Sequence, residues 1–155
     1  MKRYIGTKLI NAKPMTRQAY NEFRGWTLPA DENGADEGYL VEYVDGGKGN
    51  TDHYAGYVSW SPADVFHNAY RSTDGMTFGL AVEAIKKGQK VARSGWNGKG
   101  MWIGIHKEGG TFTRQECGTD LTYRDYIVMK TVDNQLVPWT ASQTDVLAED
   151  WKIVV

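Results

Sequence analysis

Glycine divides this chain into short segments, and no other feature limits the fold as strongly. Eighteen of the 155 residues are glycine, more than an average globular chain carries, and most stand in predicted turns. Between them, apolar residues form short runs with strand or helix periodicity. We therefore expect an α+β protein of many short elements. It combines an antiparallel sheet with short helices in a C-terminal domain and a small α+β N-terminal domain.

The first domain is predicted over residues 1–72, as an accessory domain whose role its pattern does not define. Strand patterns cover 4–12, 39–44 and 57–60. Thr16 is a suitable N-cap for a helix over 17–23. Ser61, Pro62 and Asp64 predict a second helix, with Ser61 as N-cap and Pro62 as its first residue. The polar, small residues 71–75 then mark the boundary.

The second domain is predicted over residues 76–155. Thr77 caps a helix over 78–87, a second helix covers 143–149, and the polar segment 107–122 is a loop. Strands are predicted at 90–93, 101–106, 126–131, 135–139 and 151–155. Both domains contain a strand, a turn, a strand ending in Trp, a cap and a short helix. The repeat is explained either by internal duplication or by the order of elements that is common wherever a hairpin is followed by a helix.

Composition excludes several classes of function. The net charge is −1 with acids and bases intermixed, so no basic stripe exists for DNA. The single Cys117 permits neither an internal disulfide nor a zinc site, and His53, His67 and His106 are scattered. No apolar run approaches the roughly 18 residues of a membrane span, and no secretory leader is visible. We expect no metal, no cofactor, no membrane contact and a cytoplasmic location.

The first segment with binding chemistry is 93–102. Asn97 and the glycine after it suit a tight hairpin turn. That structural interpretation leaves two cations and two indoles within ten residues unexplained. An indole such as Trp96 can stack on a purine, Asn97 can contact a base or ribose, and Arg93 and Lys99 can meet phosphate.

The second segment is 137–145. Ser142 and Asp145 stand in capping-box spacing, and Thr140 precedes Gln143 by three residues. A well-capped helix explains these residues without a ligand. The functional interpretation uses the same geometry, because a helix N-terminus presents free N–H groups to an anion. The hydroxyls of Thr140, Ser142 and Thr144 add neutral donors.

Four runs, at 76–79, 91–102, 126–131 and 136–151, closely resemble the phage Thoeris anti-defence family of the second type. The resemblance covers 76–155 with the motifs in order. It implies a non-enzymatic sponge that binds glycocyclic ADP-ribose, a cyclic nucleotide immune signal, in the cytoplasm of the infected bacterium. It also implies a homodimer or homotetramer with pockets between subunits, and cyclic oligonucleotide binding at separate sites in some relatives. The stretch 107–125 is longer than in a minimal member.

The leading hypothesis is therefore sequestration of a cyclic nucleotide without cleavage. A hydrolase using Asp145 or Glu149 as base is one alternative, and a ligand-free structural or host-interaction protein is another. The predicted ligand-binding residues are Arg93, Trp96, Asn97, Lys99, Met101, Thr140, Ser142, Thr144 and Asp145.

Overall fold

The structure, a computed structural model, describes residues 1–107, 111–112 and 121–155. The chain divides into two compact units, Met1–Arg71 and Ser72–Val155. Both units combine antiparallel sheets with short helices, which confirms the predicted α+β class. Within the described residues, no helix has both the length and the apolar character needed to cross a bilayer.

The first unit is a three-stranded antiparallel sheet with two helices, in the sheet order β1-β2-β3. Helix α1 begins after Thr16, whose hydroxyl accepts a hydrogen bond from the Ala19 N–H, and ends at Gly25 with φ +68°. Tyr20 on α1 packs against Leu40 and Val58 of the sheet. The elements are β1 (Ile10–Pro14), α1 (Arg17–Arg24), β2 (Gly38–Tyr43), β3 (Tyr57–Pro62) and α2 (Ala63–Ala69).

Two predicted boundaries in this unit are wrong. The first strand begins at Ile10, where pairing with Tyr43 begins, and Tyr4 before it is exposed. Helix α2 begins after Pro62, and Ser61 makes no capping bond to it. The reason is strand pairing, because the register with β2 keeps both Ser61 and Pro62 extended.

The second unit is a five-stranded antiparallel sheet in the order β10-β4-β5-β8-β9. Its core joins α3 to the sheet through Ala81, Ile85, Val91, Ile103 and Trp151, all nearly inaccessible to solvent. The elements are α3 (Phe78–Lys86), β4 (Lys90–Arg93), β5 (Trp102–His106), β6 (Thr111–Phe112), β7 (Leu121–Thr122), β8 (Tyr126–Lys130), β9 (Leu136–Pro138), α4 (Gln143–Val146) and β10 (Trp151–Val154).

The first helix and the strands predicted for this unit agree with the structure to within one residue at each end, and two other predictions differ. Thr77 caps α3 as expected, through the Leu80 N–H. Helix α4 ends at Val146, shorter than the predicted 143–149, because residues 147–150 leave the helix and lead the chain into β10. Within the predicted loop 107–122, β6 pairs with β7. Residues 108–110 and 113–120 of that loop, including Cys117, lie outside the described residues.

Candidate functional site

The carboxylate of Asp145 joins the two segments that the sequence singled out. Its Oδ1 lies 3.0 Å from Nη1 of Arg93 and accepts a hydrogen bond from the Trp96 indole N–H at 3.4 Å. Arg93 is the last residue of β4, whereas Asp145 lies in α4, 52 residues later. The side chains of Arg93 and Asp145 are only 17% and 12% exposed. A largely buried ion pair therefore connects segments 93–102 and 137–145, and we call this contact of Arg93, Trp96 and Asp145 the joint.

The other oxygen of Asp145 completes the predicted capping box. Oδ2 accepts from the Ser142 backbone N–H at 3.0 Å and from its hydroxyl at 2.7 Å. The Asp145 N–H in turn donates to Ser142 Oγ at 3.1 Å. Burial raises the pKa of Asp145, but the hydrogen bonds from Ser142, Arg93 and Trp96 outweigh it, and the pKa lies below its ordinary value. Asp145 is therefore an ionised carboxylate, and both of its oxygens accept hydrogen bonds.

Asp150 is a member of this network that sequence reasoning missed. Its Oδ1 lies 2.8 Å from Nε of Arg93, and its Oδ2 accepts the Gly95 N–H at 2.8 Å. The Asp150 carbonyl accepts the Ser94 N–H at 3.0 Å. The hydrogen bond from Arg93 is the main reason that the pKa of Asp150 is lowered. Sequence patterns carried no signal for Asp150, because its contact with Arg93 depends on β10 lying beside β4.

The predicted stacking residue Trp96 belongs to a cluster of aromatic rings. Its ring centroid lies 5.4 Å from that of Trp151 and 6.2 Å from that of Trp139, both nearly edge to face. Trp139 and Trp151 are 6.1 Å apart, and Phe78 of α3 borders both. Trp96 stays half-buried, so part of its indole remains accessible beside Asp145. Its role as a ligand platform remains a prediction.

The remaining predicted residues belong to the same two segments. Asn97, Lys99, Thr140 and Thr144 are exposed, and Met101 is half-buried. Met101 packs so closely on Gly98 that a Cβ there would overlap its sulfur atom. In the described residues, the hydrogen bonds that join the two segments run through Arg93, Trp96 and Asp145. The structure therefore gives a shared framework and leaves the exposed side chains free to face a ligand.

The histidines do not contribute to this framework. His53 lies beside Phe23 and His67 beside Tyr39 in the first unit, whereas His106 lies beside Tyr126. Among the residues that the structure describes, no three His, Cys, Asp or Glu side chains are grouped to hold a metal ion. The joint itself offers hydrogen-bonding groups, the Arg93 guanidinium and the Trp96 indole.

The part of the chain that contains this hydrogen-bond network is similar to known proteins. A family model described as the Thoeris anti-defense 2-like domain matches residues 76–154. A curated relative, Thoeris anti-defense 2 of Bacillus phage SP01, is 43% identical in an alignment of 84 residues that covers 51% of this chain and 94% of the relative. Arg93, Trp96, Asp145 and Asp150 all fall within the match. With half of its length, including the entire ion-pair joint, matched to that model, the chain belongs to the Thoeris anti-defense 2-like family.

Proposed function

We propose that this chain is a phage anti-defence protein that sequesters a cyclic nucleotide immune signal of the glycocyclic ADP-ribose type. Family membership supports the anti-defence role, and the curated relative carries that role in its name. A sponge must compete with the effector that reads the signal. Sub-micromolar affinity, about −9 kcal/mol or better, is therefore needed.

The joint around Asp145 is the observation that carries this proposal. Arg93, Trp96, Ser142 and Asp145 fix the 94–100 turn against the start of α4 through hydrogen bonds within the chain. A preorganised site loses less conformational entropy on binding than one that must order its loops. Trp96 then offers an aromatic edge or face, and the exposed hydroxyls of the second segment offer donors. Tight capture of a rigid cyclic molecule suits this arrangement.

The two cations of the first segment take different roles. Arg93 is held by two carboxylates, and the trio of Arg93, Asp145 and Asp150 has a net negative charge. A phosphate at Arg93 competes with both acids. Lys99 is exposed and has no ion-pair partner among the described residues. We assign phosphate neutralisation chiefly to Lys99 and orientation of the site chiefly to Arg93.

The chemistry of Asp145 also supports binding without cleavage by this residue. A general base needs a free lone pair within hydrogen-bond reach of the proton that it removes. Both oxygens of Asp145 already accept hydrogen bonds, and its lowered pKa makes it a weak base. The geometry thus favours sequestration over the hydrolase alternative in which Asp145 activates water.

The proposal includes assembly into a homodimer or homotetramer in the host cytoplasm, with ligand pockets between subunits. Strand β9 is an edge of the sheet, and its Leu136 and Val137 are 58% and 39% exposed. Val132, in the turn before it, is also exposed. An apolar edge strand with unpaired backbone groups is a suitable surface for a second copy.

One experiment separates the three classes of function. The protein is incubated with glycocyclic ADP-ribose, separated from free nucleotide, and denatured, and the released small molecules are identified by mass spectrometry. A sponge retains the nucleotide and releases it intact. Release of linear or cleaved nucleotide contradicts the proposal in favour of an enzyme, and failure to retain any nucleotide contradicts it in favour of a structural protein. Native mass spectrometry of the loaded protein gives the stoichiometry.

A further inference from the structure

The chain contains two Asn-Gly pairs, and the two pairs differ in how firmly they are held. Asn97 and Gly98 lie in the turn after β4, whereas Asn33 and Gly34 lie between α1 and β2. Asparagine deamidates most readily when glycine follows it, because the glycine has no Cβ to keep its nitrogen away from the asparagine side chain. The two pairs therefore have the same chemistry in different surroundings.

The pair in the 94–100 turn is the less restrained of the two. Asn97 is exposed, and within the described residues neither its side-chain amide nor the Gly98 N–H makes a hydrogen bond. A Cβ at residue 98 would overlap Met101 and Val132, so a side chain there must displace both of them. Packing thus requires glycine at the one position where glycine makes Asn97 reactive.

Hydrogen bonds restrain the other pair. Oδ1 of Asn33 accepts the Ala35 N–H at 3.0 Å, and the Gly34 carbonyl accepts the Gln18 N–H at 3.0 Å. Attack of the Gly34 nitrogen on the Asn33 side chain turns that side chain and bends the backbone beside it. Both hydrogen bonds oppose this movement, whereas Asn97 has no such bond to lose.

We propose that Asn97 is a site of spontaneous deamidation, and that the resulting carboxylate weakens capture of an anionic ligand. The Gly98 nitrogen attacks Cγ of Asn97 and loses its proton, the new N–Cγ bond closes a succinimide ring, and the side-chain nitrogen leaves as ammonia. Water then opens the ring and leaves aspartate or isoaspartate. The reaction consumes only water, so it needs no oxidant, reductant or cofactor.

The product places a negative charge two residues from Lys99, to which we assign phosphate neutralisation. The trio of Arg93, Asp145 and Asp150 in the same network already has a net negative charge. A further carboxylate attracts Lys99 and repels phosphate. Capture should therefore decline as the protein ages. This second half of the inference rests on the proposed function, whereas the reaction at Asn97 does not.

Peptide mapping measures the reaction at both pairs in one sample. The full chain is kept in mildly alkaline buffer, and samples taken over time are digested with trypsin and analysed by mass spectrometry. Trypsin releases peptides 94–99 and 25–48, each of which contains one asparagine and no glutamine, so the gain in mass of each peptide reports one site. We expect Asn97 to deamidate at least about fivefold faster than Asn33 in the folded protein. In urea, where neither turn is folded, the two rates should lie within about twofold of each other.

Three variants test the effect on capture. Asn97→Asp reproduces the charge of the product and should retain glycocyclic ADP-ribose about fivefold less tightly than the wild type, with a smaller difference at high salt. Asn97→Ser removes the amide without adding a charge and should weaken retention less. Asn33→Asp, the same change in the first unit, is the matched control and should leave retention unchanged.

Equal rates at Asn97 and Asn33 in the folded protein overturn the inference and leave the proposed function standing. A ratio of rates that is the same in buffer and in urea has the same meaning. Retention that is unchanged in Asn97→Asp, or that falls equally in Asn97→Asp and Asn97→Ser, overturns the second half alone. If freshly purified wild type retains no glycocyclic ADP-ribose, the proposed function fails and the second half fails with it, whereas the reaction at Asn97 is still decided by the two rates.

Discussion

Replacing Asp145 by asparagine tests the joint most directly. The change keeps the size of the side chain and removes its charge. An asparagine has only one acceptor oxygen. This oxygen can accept hydrogen bonds either from Arg93 and Trp96 or from the N–H of Ser142. The NH₂ group then points at the donors on the other side and makes no hydrogen bond with them. Hydrogen bonds to charged groups contribute about 1.5–3 kcal/mol each. Because the Asp145 side chain is only 12% exposed, water replaces little of this loss.

Arg93 moderates the effect, since Asp150 still holds its Nε atom in the variant. We expect Asp145→Asn to lower the free energy of unfolding of the second unit by about 3 kcal/mol. For a unit of this size that corresponds to a fall in Tm of about 10–25 °C. Urea unfolding followed by far-UV circular dichroism measures the difference.

The matched control is Glu149→Gln, which removes one negative charge from an exposed residue close to α4. It should change the free energy of unfolding by less than about 0.5 kcal/mol. Equal urea midpoints for Asp145→Asn and Glu149→Gln would refute the reasoning. Such a result would mean that the ion pair and capping box contribute nothing measurable to stability.

Three further predictions follow from the same structure. Trp96→Ala should weaken retention of glycocyclic ADP-ribose by about 1–3 kcal/mol in calorimetry, and unchanged affinity in a folded variant would place the pocket elsewhere. A shortened protein beginning at Thr73 should fold and retain the nucleotide, since the second unit has its own core; an insoluble product would contradict this. Because the pKa values of Asp145 and Asp150 are lowered, their stabilisation is complete above about pH 3.9, the ordinary carboxyl pKa, and is lost as the pH falls through their folded-state values. Urea midpoints should therefore drop below pH 4 in the wild type and drop less in Asp145→Asn.

Local chemistry made most of the elements predictable. Thr77 and Ser142 were identified as caps because a hydroxyl placed just before an apolar helical run satisfies the first free N–H groups. The spacing of Ser142 and Asp145 likewise revealed the capping box. These signals work because the interacting groups lie within one helical turn of each other.

The order of the strands was not predictable in the same way. Arg93 meets Asp145 and Asp150 only because β10 lies beside β4, although more than fifty residues separate the partners. Periodicity shows which face of a strand is apolar and not which strand lies next to it. For the same reason, the sequence showed Trp96 and Trp102 as one cluster, whereas Trp96 packs against the core and Trp102 lies beside Lys90.

The aromatic cluster has a consequence for spectroscopy. Trp96, Trp139 and Trp151 have ring centroids only 5.4–6.2 Å apart. At such separations indoles exchange excitation energy much faster than they emit light, and their near-ultraviolet transitions couple. Excitation absorbed by any of the three rings therefore reaches the other two. A base that stacks on one ring quenches light absorbed by all three. Intrinsic fluorescence should detect occupancy of the joint with high sensitivity, but only single tryptophan replacements can tell which ring the ligand contacts.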